Sequence, residues 1–154
     1  MIAKFIVKVL YIACAVVIGL LTLIVLTQVI SRFFDYSLPG TEELSRLFIV
    51  WMTFLGSSIA VYEQGHLAVN FFVKRVNEKI RPYLYLVVNI ILGLFFLVLA
   101  IYGFKFSYQS LDFTSSTLQL PMTIFYLAIP VSSLLSLYFI SQNLWSHEDE
   151  SEAI

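Results

Sequence analysis

The sequence predicts an all-α integral membrane protein of four transmembrane helices, with a short amphipathic helix at the membrane interface after the second. Composition is the first reason: 60% of the 154 residues are hydrophobic and 12% are charged, and the mean hydropathy is +0.90, outside the range of ordinary soluble domains. The second reason is the distribution of charge. No charged side chain occurs in 9–31, 47–62, 82–104 or 113–146. A helix rises about 1.5 Å per residue, so roughly 20 residues cross the hydrocarbon core. The first and third stretches fit one crossing each. The second is too short unless Glu42, Glu43, Arg46 and Glu63 join the helix at the membrane edges. The fourth exceeds one crossing, so its front part should lie outside the hydrocarbon.

The first crossing is expected at about 8–31, with Ala15, Gly19 and Thr22 as a small-residue face that allows close backbone approach. Lys4 and Lys8 precede an apolar run far longer than the roughly 7–15 residues of a signal peptide, and no small-x-small cleavage site follows. The segment is therefore expected to stay as a helix. Pro39 and Gly40 mark a turn, and Thr41 reads as the N-cap of a second crossing over about 41–63. Glu42 and Glu43 sit in its first turn, where the helix dipole favours carboxylates. Arg46 is three to four residues on and in reach of either. Thr53, Gly56, Ser57 and Ala60 form a small, faintly polar stripe.

Beyond Glu63, Gln64, Gly65 and His66 the period changes. Val69, Phe72, Val73, Val76 and Ile80 recur at helical spacing with Lys74, Arg75 and Lys79 between them, the pattern of an interfacial helix over about 68–80 whose cations face lipid head groups. His66 has no cluster of possible metal ligands beside it in the sequence and reads as a capping or hydrogen-bonding residue. A third crossing over about 82–109 opens at Pro82. Asn89, Gly93, Ala100, Gly103 and Ser107 share one face of it, and Asn89 is expected to hydrogen-bond between helices. A Ser/Thr/Gln-rich loop leads to the fourth crossing at about 122–145, kinked by Pro130, with Ser133 and Ser136 on a small polar face. An acidic tail, 147–154, completes a single transmembrane domain of 1–154.

Lysine and arginine set the orientation. Lys4, Lys8, Lys74, Arg75, Lys79 and Arg81 fall on one side, Arg32, Arg46 and Lys105 on the other. The richer side, with both termini, should be cytoplasmic, and a bacterial inner membrane is the natural setting. A net charge of -1 gives no nucleic-acid footprint. The lone Cys14 excludes a disulfide or a two-cysteine redox site within the chain. Nothing points to a catalytic group, a metal or a cofactor. No crossing has a central acid or base, which a secondary transporter usually needs, so the residues describe a helper subunit rather than an enzyme. The charges Arg32, Glu42, Glu43 and Arg46 are then either solvated at the boundary or paired, within the chain or with a partner subunit.

The residues resemble one known family, the small membrane (Q) subunit of tripartite ATP-independent periplasmic (TRAP) transporters. The likeness rests on Ser31-Arg32-Phe33, on Thr41 to Arg46, on Trp51, Leu55, Gly56 and Ala60, on His66 to Val69, and on Leu120-Pro121 and Ala128-Ile129-Pro130. It covers nearly the whole chain, and its most specific part is the run from Glu42-Glu43-x-x-Arg46 through Gly56 to His66. The resemblance implies a constant large partner, the M subunit, which carries an organic acid with sodium, and a periplasmic binding protein that delivers it transiently. A sugar acid such as sialic acid and a C4-dicarboxylate are both compatible. An independent small transporter, or a subunit of an unrelated membrane complex, is also compatible with the residues alone.

Overall fold

The computed structural model describes residues 2–36, 38–63 and 81–151. Among them the only regular elements are helices: α1 (Ile2–Phe33), α2 (Thr41–Tyr62), α3 (Arg81–Gln109), the short α4 (Thr123–Tyr126) and α5 (Ala128–Ser151). Four spans are long and apolar enough to cross a membrane: Ala3–Phe33, Thr41–Tyr62, Tyr83–Gln109 and Thr123–Asn143. The four crossings expected from the apolar runs are thus present. The expected interfacial helix, 68–80, lies outside the described residues.

Helix α1 begins near the chain start rather than at residue 8. Lys4 and Lys8 point outward while Ala3, Val7 and Leu10 are buried in the core. A helix tolerates cations on its outer face while the opposite face packs, so charge marks where the hydrocarbon ends and not where the helix does. Helix α2 has Gly40 as its N-cap, at φ 93°, with no side-chain cap bond. Thr41 is therefore the first helical residue and not the cap: its hydroxyl donates to the Leu38 carbonyl at 2.9 Å. The left-handed backbone at Gly40 costs glycine little.

The fourth crossing is broken. α4 and α5 are separated at Leu127, three residues before Pro130. Proline has no N–H to bond the carbonyl four residues back, and its ring crowds that carbonyl. The carbonyl in question belongs to Tyr126, where the first piece ends. Bonds on either side, Leu127 N to Thr123 O at 2.8 Å and Val131 N to Leu127 O at 3.2 Å, carry the chain across the break. The expected kink at Pro130 is therefore a short interruption.

Helix α5 packs between α2 and α3, and α1 packs against α2, giving the lateral order α1, α2, α5, α3. The central helix is consequently the most buried. Phe139 is fully enclosed, and around it gather Ile140, Phe96, Leu55, Ile59 and Val61. Tyr62 meets Phe139 edge-on with ring centroids 5.2 Å apart. The marginal helices α1 and α3 leave long rows of Leu, Ile, Val and Phe uncovered, as expected of surfaces whose solvent is lipid or another membrane protein.

Candidate functional site

The polar chemistry of the described chain collects at one end of the bundle, where α1 ends, α2 begins and the α3–α4 loop crosses. Successive residues of α2 point in different directions there and take different partners. Glu42 faces outward toward Arg32, whose guanidinium lies 3.9 Å away, with both side chains more than three-quarters exposed. Glu43, next in sequence, turns to the loop. Its carboxylate accepts from the Ser115 hydroxyl, from the Ser116 hydroxyl at 3.2 Å, and from the backbone amides of Thr117 at 3.1 Å and Leu118 at 3.0 Å. Arg46 is exposed and pairs with neither glutamate. The in-chain pairing of Arg46 expected from helical spacing is thus corrected. Glu42 is taken by Arg32 across the turn, and Glu43 by hydrogen-bond donors brought from more than 70 residues away.

The loop is shaped to present those donors. Ser115 N bonds Leu120 O at 2.8 Å and Met122 N bonds Phe113 O at 2.9 Å, closing a narrow hairpin whose one bridge joins Thr114 and Pro121. Gln119 takes a left-handed φ of 56° at its tip. Gly40 packs against the same loop: a Cβ there would lie 2.8 Å from Leu118 Cδ2. Gln28 Nε2 donates to Ser45 Oγ at 3.1 Å and so ties α1 to α2 just inside this end.

Deeper down, a small polar seam joins α2 to α5. Ser58 donates to the Ser132 carbonyl at 2.9 Å, and Ser136 donates to the Ser58 hydroxyl at 3.1 Å. All three serines are fully buried. Trp51 Nε1 donates to the Ile124 carbonyl at 3.1 Å, a group freed because the residue four on, Ala128, starts a new helix. At the far end Tyr11 donates to Glu63, and Asn143 Nδ2 donates to Val61 O at 3.2 Å.

The small residues singled out by sequence divide sharply. Gly103 is a true close approach, since a Cβ there would meet Ile129 Cγ2 and Pro130 Cδ at 2.9 Å and the Pro130 nitrogen at 3.1 Å. Gly56 and Gly93 have nothing within 4 Å of that position, Ser57 bonds back to Phe54 O in its own helix, and Ala60 is exposed. Asn89 is buried, but its amide donates to Tyr85 O one turn back at 2.9 Å. That local bond replaces the interhelical one expected. His66, Lys74, Arg75 and Lys79 lie outside the described residues. Sequence reasoning passed over Ser58, Ser132, the Trp51 bond and the loop partners of Glu43. For Glu43 the sequence offers the two halves only separately, a carboxylate at a helix start and a loop rich in Ser, Thr and Gln more than 70 residues later.

Among the described residues no three His, Cys, Asp or Glu side chains gather as a metal site. Charge is confined to helix ends, and the buried polar groups are hydroxyls and amides. Such an arrangement fastens helices together.

Residues 21–149 match the family model of the DctQ component of tripartite ATP-independent periplasmic transporters. Two proteins of Haemophilus influenzae strain Rd named as TRAP transporter small permease proteins are similar. One is 29% identical over 145 residues, covering 90% of this chain and 84% of that protein. The other is 35% identical over 75 residues, covering 48% of this chain and about half, 47%, of that protein. A 61-residue stretch, 39% of this chain, is 38% identical to part of the sialic acid TRAP transporter permease protein SiaT of Haemophilus influenzae strain 86-028NP, of which it covers only 10%. With four membrane-spanning helices and a family match over most of its length, the chain belongs to the DctQ family of TRAP transporter small permease subunits.

Proposed function

We propose that this subunit is the fixed scaffold beside which a large M subunit carries an organic acid, coupled to sodium, after delivery by a periplasmic binding protein. The observation that supports this most is the build of the bundle. Its marginal helices α1 and α3 leave extended apolar rows uncovered, and no ionisable side chain lies midway along any of the four spans. A carboxylate substrate or a sodium ion shedding its water there would find no compensating group. The match to a short part of a much longer permease supports an association with a large partner. The name of that permease favours a sugar acid, and a C4-dicarboxylate fits the same chemistry. Arg46, exposed and without a partner among the described residues, would meet an acidic or carbonyl group of the M subunit. With an inner-membrane location and both termini cytoplasmic, the Glu43 end of the bundle faces the periplasm, where the loops at 33–40 and 110–122 would help dock the binding protein.

Reconstitution tests the proposal. Alone in liposomes the chain should take up no organic acid under a sodium gradient, and with its M subunit and loaded binding protein it should. Uptake by the chain alone would defeat the scaffold reading in favour of an independent transporter. Arg46→Ala should lower co-purification of the M subunit several-fold while leaving the isolated chain as stable as wild type, and undiminished co-purification would remove Arg46 from the interface.

A further inference from the structure

Glu43 is the third residue of α2 after its N-cap Gly40, a position from which a glutamate ordinarily turns back to the N-cap amide. Here it turns away. Its Oε1 accepts from the Ser116 hydroxyl at 3.2 Å and the Thr117 amide at 3.1 Å, and its Oε2 accepts from the Ser115 hydroxyl and from the Leu118 amide at 3.0 Å. An ionised carboxylate offers about four lone-pair sites on two oxygens, and the loop supplies one donor for each. All four donors come from consecutive residues. Neighbouring backbone N–H groups that point to one side of a turn form the kind of concavity that takes anions, and the left-handed backbone at Gln119 follows directly. The bonds that close the hairpin, Ser115 N to Leu120 O and Met122 N to Phe113 O, use neither of these two amides. Ser115 is buried while Ser116 and Thr117 are exposed, so the cradle has a closed back and an open side.

We propose that residues 115–118 form a carboxylate-binding nest whose built-in ligand is Glu43, and that the order of the 110–122 loop is conditional on a carboxylate in that nest. Left empty, the nest would hold two adjacent amides and a buried hydroxyl with no acceptor, which is costly for buried donors. The loop would then rearrange. A neutral amide does not replace the carboxylate, because one of its two polar atoms is itself a donor and would face donors. Leu118 packs on Gly40 and so keeps the nest within reach of the third residue of α2. Tethering gives the Glu43 carboxylate a high effective concentration at the nest, which closes it to free anions in the wild-type chain. Removing that side chain opens it to a small soluble carboxylate.

Chemical rescue tests this on the full-length chain, purified in mild detergent together with the subunit it carries, by amide hydrogen exchange at Thr117 and Leu118. In Glu43→Ala, exchange there should rise about tenfold or more while amides around Phe139 stay unchanged. Sodium acetate or formate at about 100 mM, roughly a hundredfold excess over a millimolar dissociation constant, should return it to within about twofold of wild type. Sodium chloride at the same concentration should not. The wild-type chain should respond to neither salt. Glu43→Gln, which keeps the size, should lose the protection too and resist rescue, because its amide still fills the nest. Protection retained in Glu43→Gln would overturn the nest, as would a loss in Glu43→Ala that no carboxylate restores, or one that chloride restores equally well. If Glu43→Ala fails to fold, acetate present during membrane extraction should recover folded protein where chloride does not, and equal recovery in both salts, or none in either, would overturn it as well.

Discussion

At the scale of single residues, neighbouring positions of one type do different work, and space decides which. Gly93 and Gly103 lie on the same helix, but only Gly103 faces another helix closely, meeting the Ile129 side chain and the ring and nitrogen of Pro130. Its Cβ position is blocked partly by a proline nitrogen that cannot move without moving α5. Gly103→Val should therefore destabilise the isolated subunit by about 1–3 kcal/mol, the usual range for overpacking, whereas Gly93→Val should change it by under about 0.5 kcal/mol. Thermal unfolding in detergent measures both, and equal effects would mean that α3 and α5 do not approach at Gly103. Both glycines were legible as small residues on a helical stripe. Which one is in contact was not, because the stripe repeats along the helix while the partner crosses it in one place. The charges behave alike: spacing permits Arg46 to reach either glutamate, but local spacing cannot reveal that donors from a distant loop already hold Glu43.

At the scale of elements, the broken fourth crossing shows how a backbone defect is accommodated in an apolar medium. Each unsatisfied carbonyl is costly in hydrocarbon, and Pro130 interrupts the ladder near Leu127. The Trp51 indole repairs part of the loss by donating to Ile124 O. Trp51→Phe keeps the aromatic bulk and removes the donor, so it should cost roughly 1 kcal/mol and speed amide exchange in Thr123–Tyr126 more than elsewhere. Uniform acceleration, or none, would show that the bond does not support the break. The interruption itself was foreseeable, because proline acts on its own helix. Its repair was not, since the donor sits 73 residues earlier on another helix.

At the scale of the whole molecule, the four helices lie in the order α1, α2, α5, α3 with α5 the most buried, and the orientation proposed from the lysine and arginine count is open to a direct test. With Cys14→Ala as background, a cysteine at Ser116 should react with a membrane-impermeant thiol reagent in intact cells and one at Asn77 should not. The reverse pattern would invert the topology and place the contact between Glu43 and the loop on the cytoplasmic side. What the sequence determined by itself is the number of crossings, the turn at Pro39–Gly40, a distortion of the fourth helix by Pro130 and the kinship with TRAP small permeases. Each is a local or cumulative property: apolar length against bilayer thickness, backbone restrictions at proline and glycine, residue types in a fixed order. Only the tertiary structure decided that α5 lies between α2 and α3, that Ser58, Ser132 and Ser136 form one seam, and that Glu43 holds a loop from the other half of the chain. In a membrane nearly every face of a helix is apolar, so hydrophobic periodicity no longer tells inside from outside. The pairing of helices is then set by shape and a few hydrogen bonds, whose partners only the folded chain brings together.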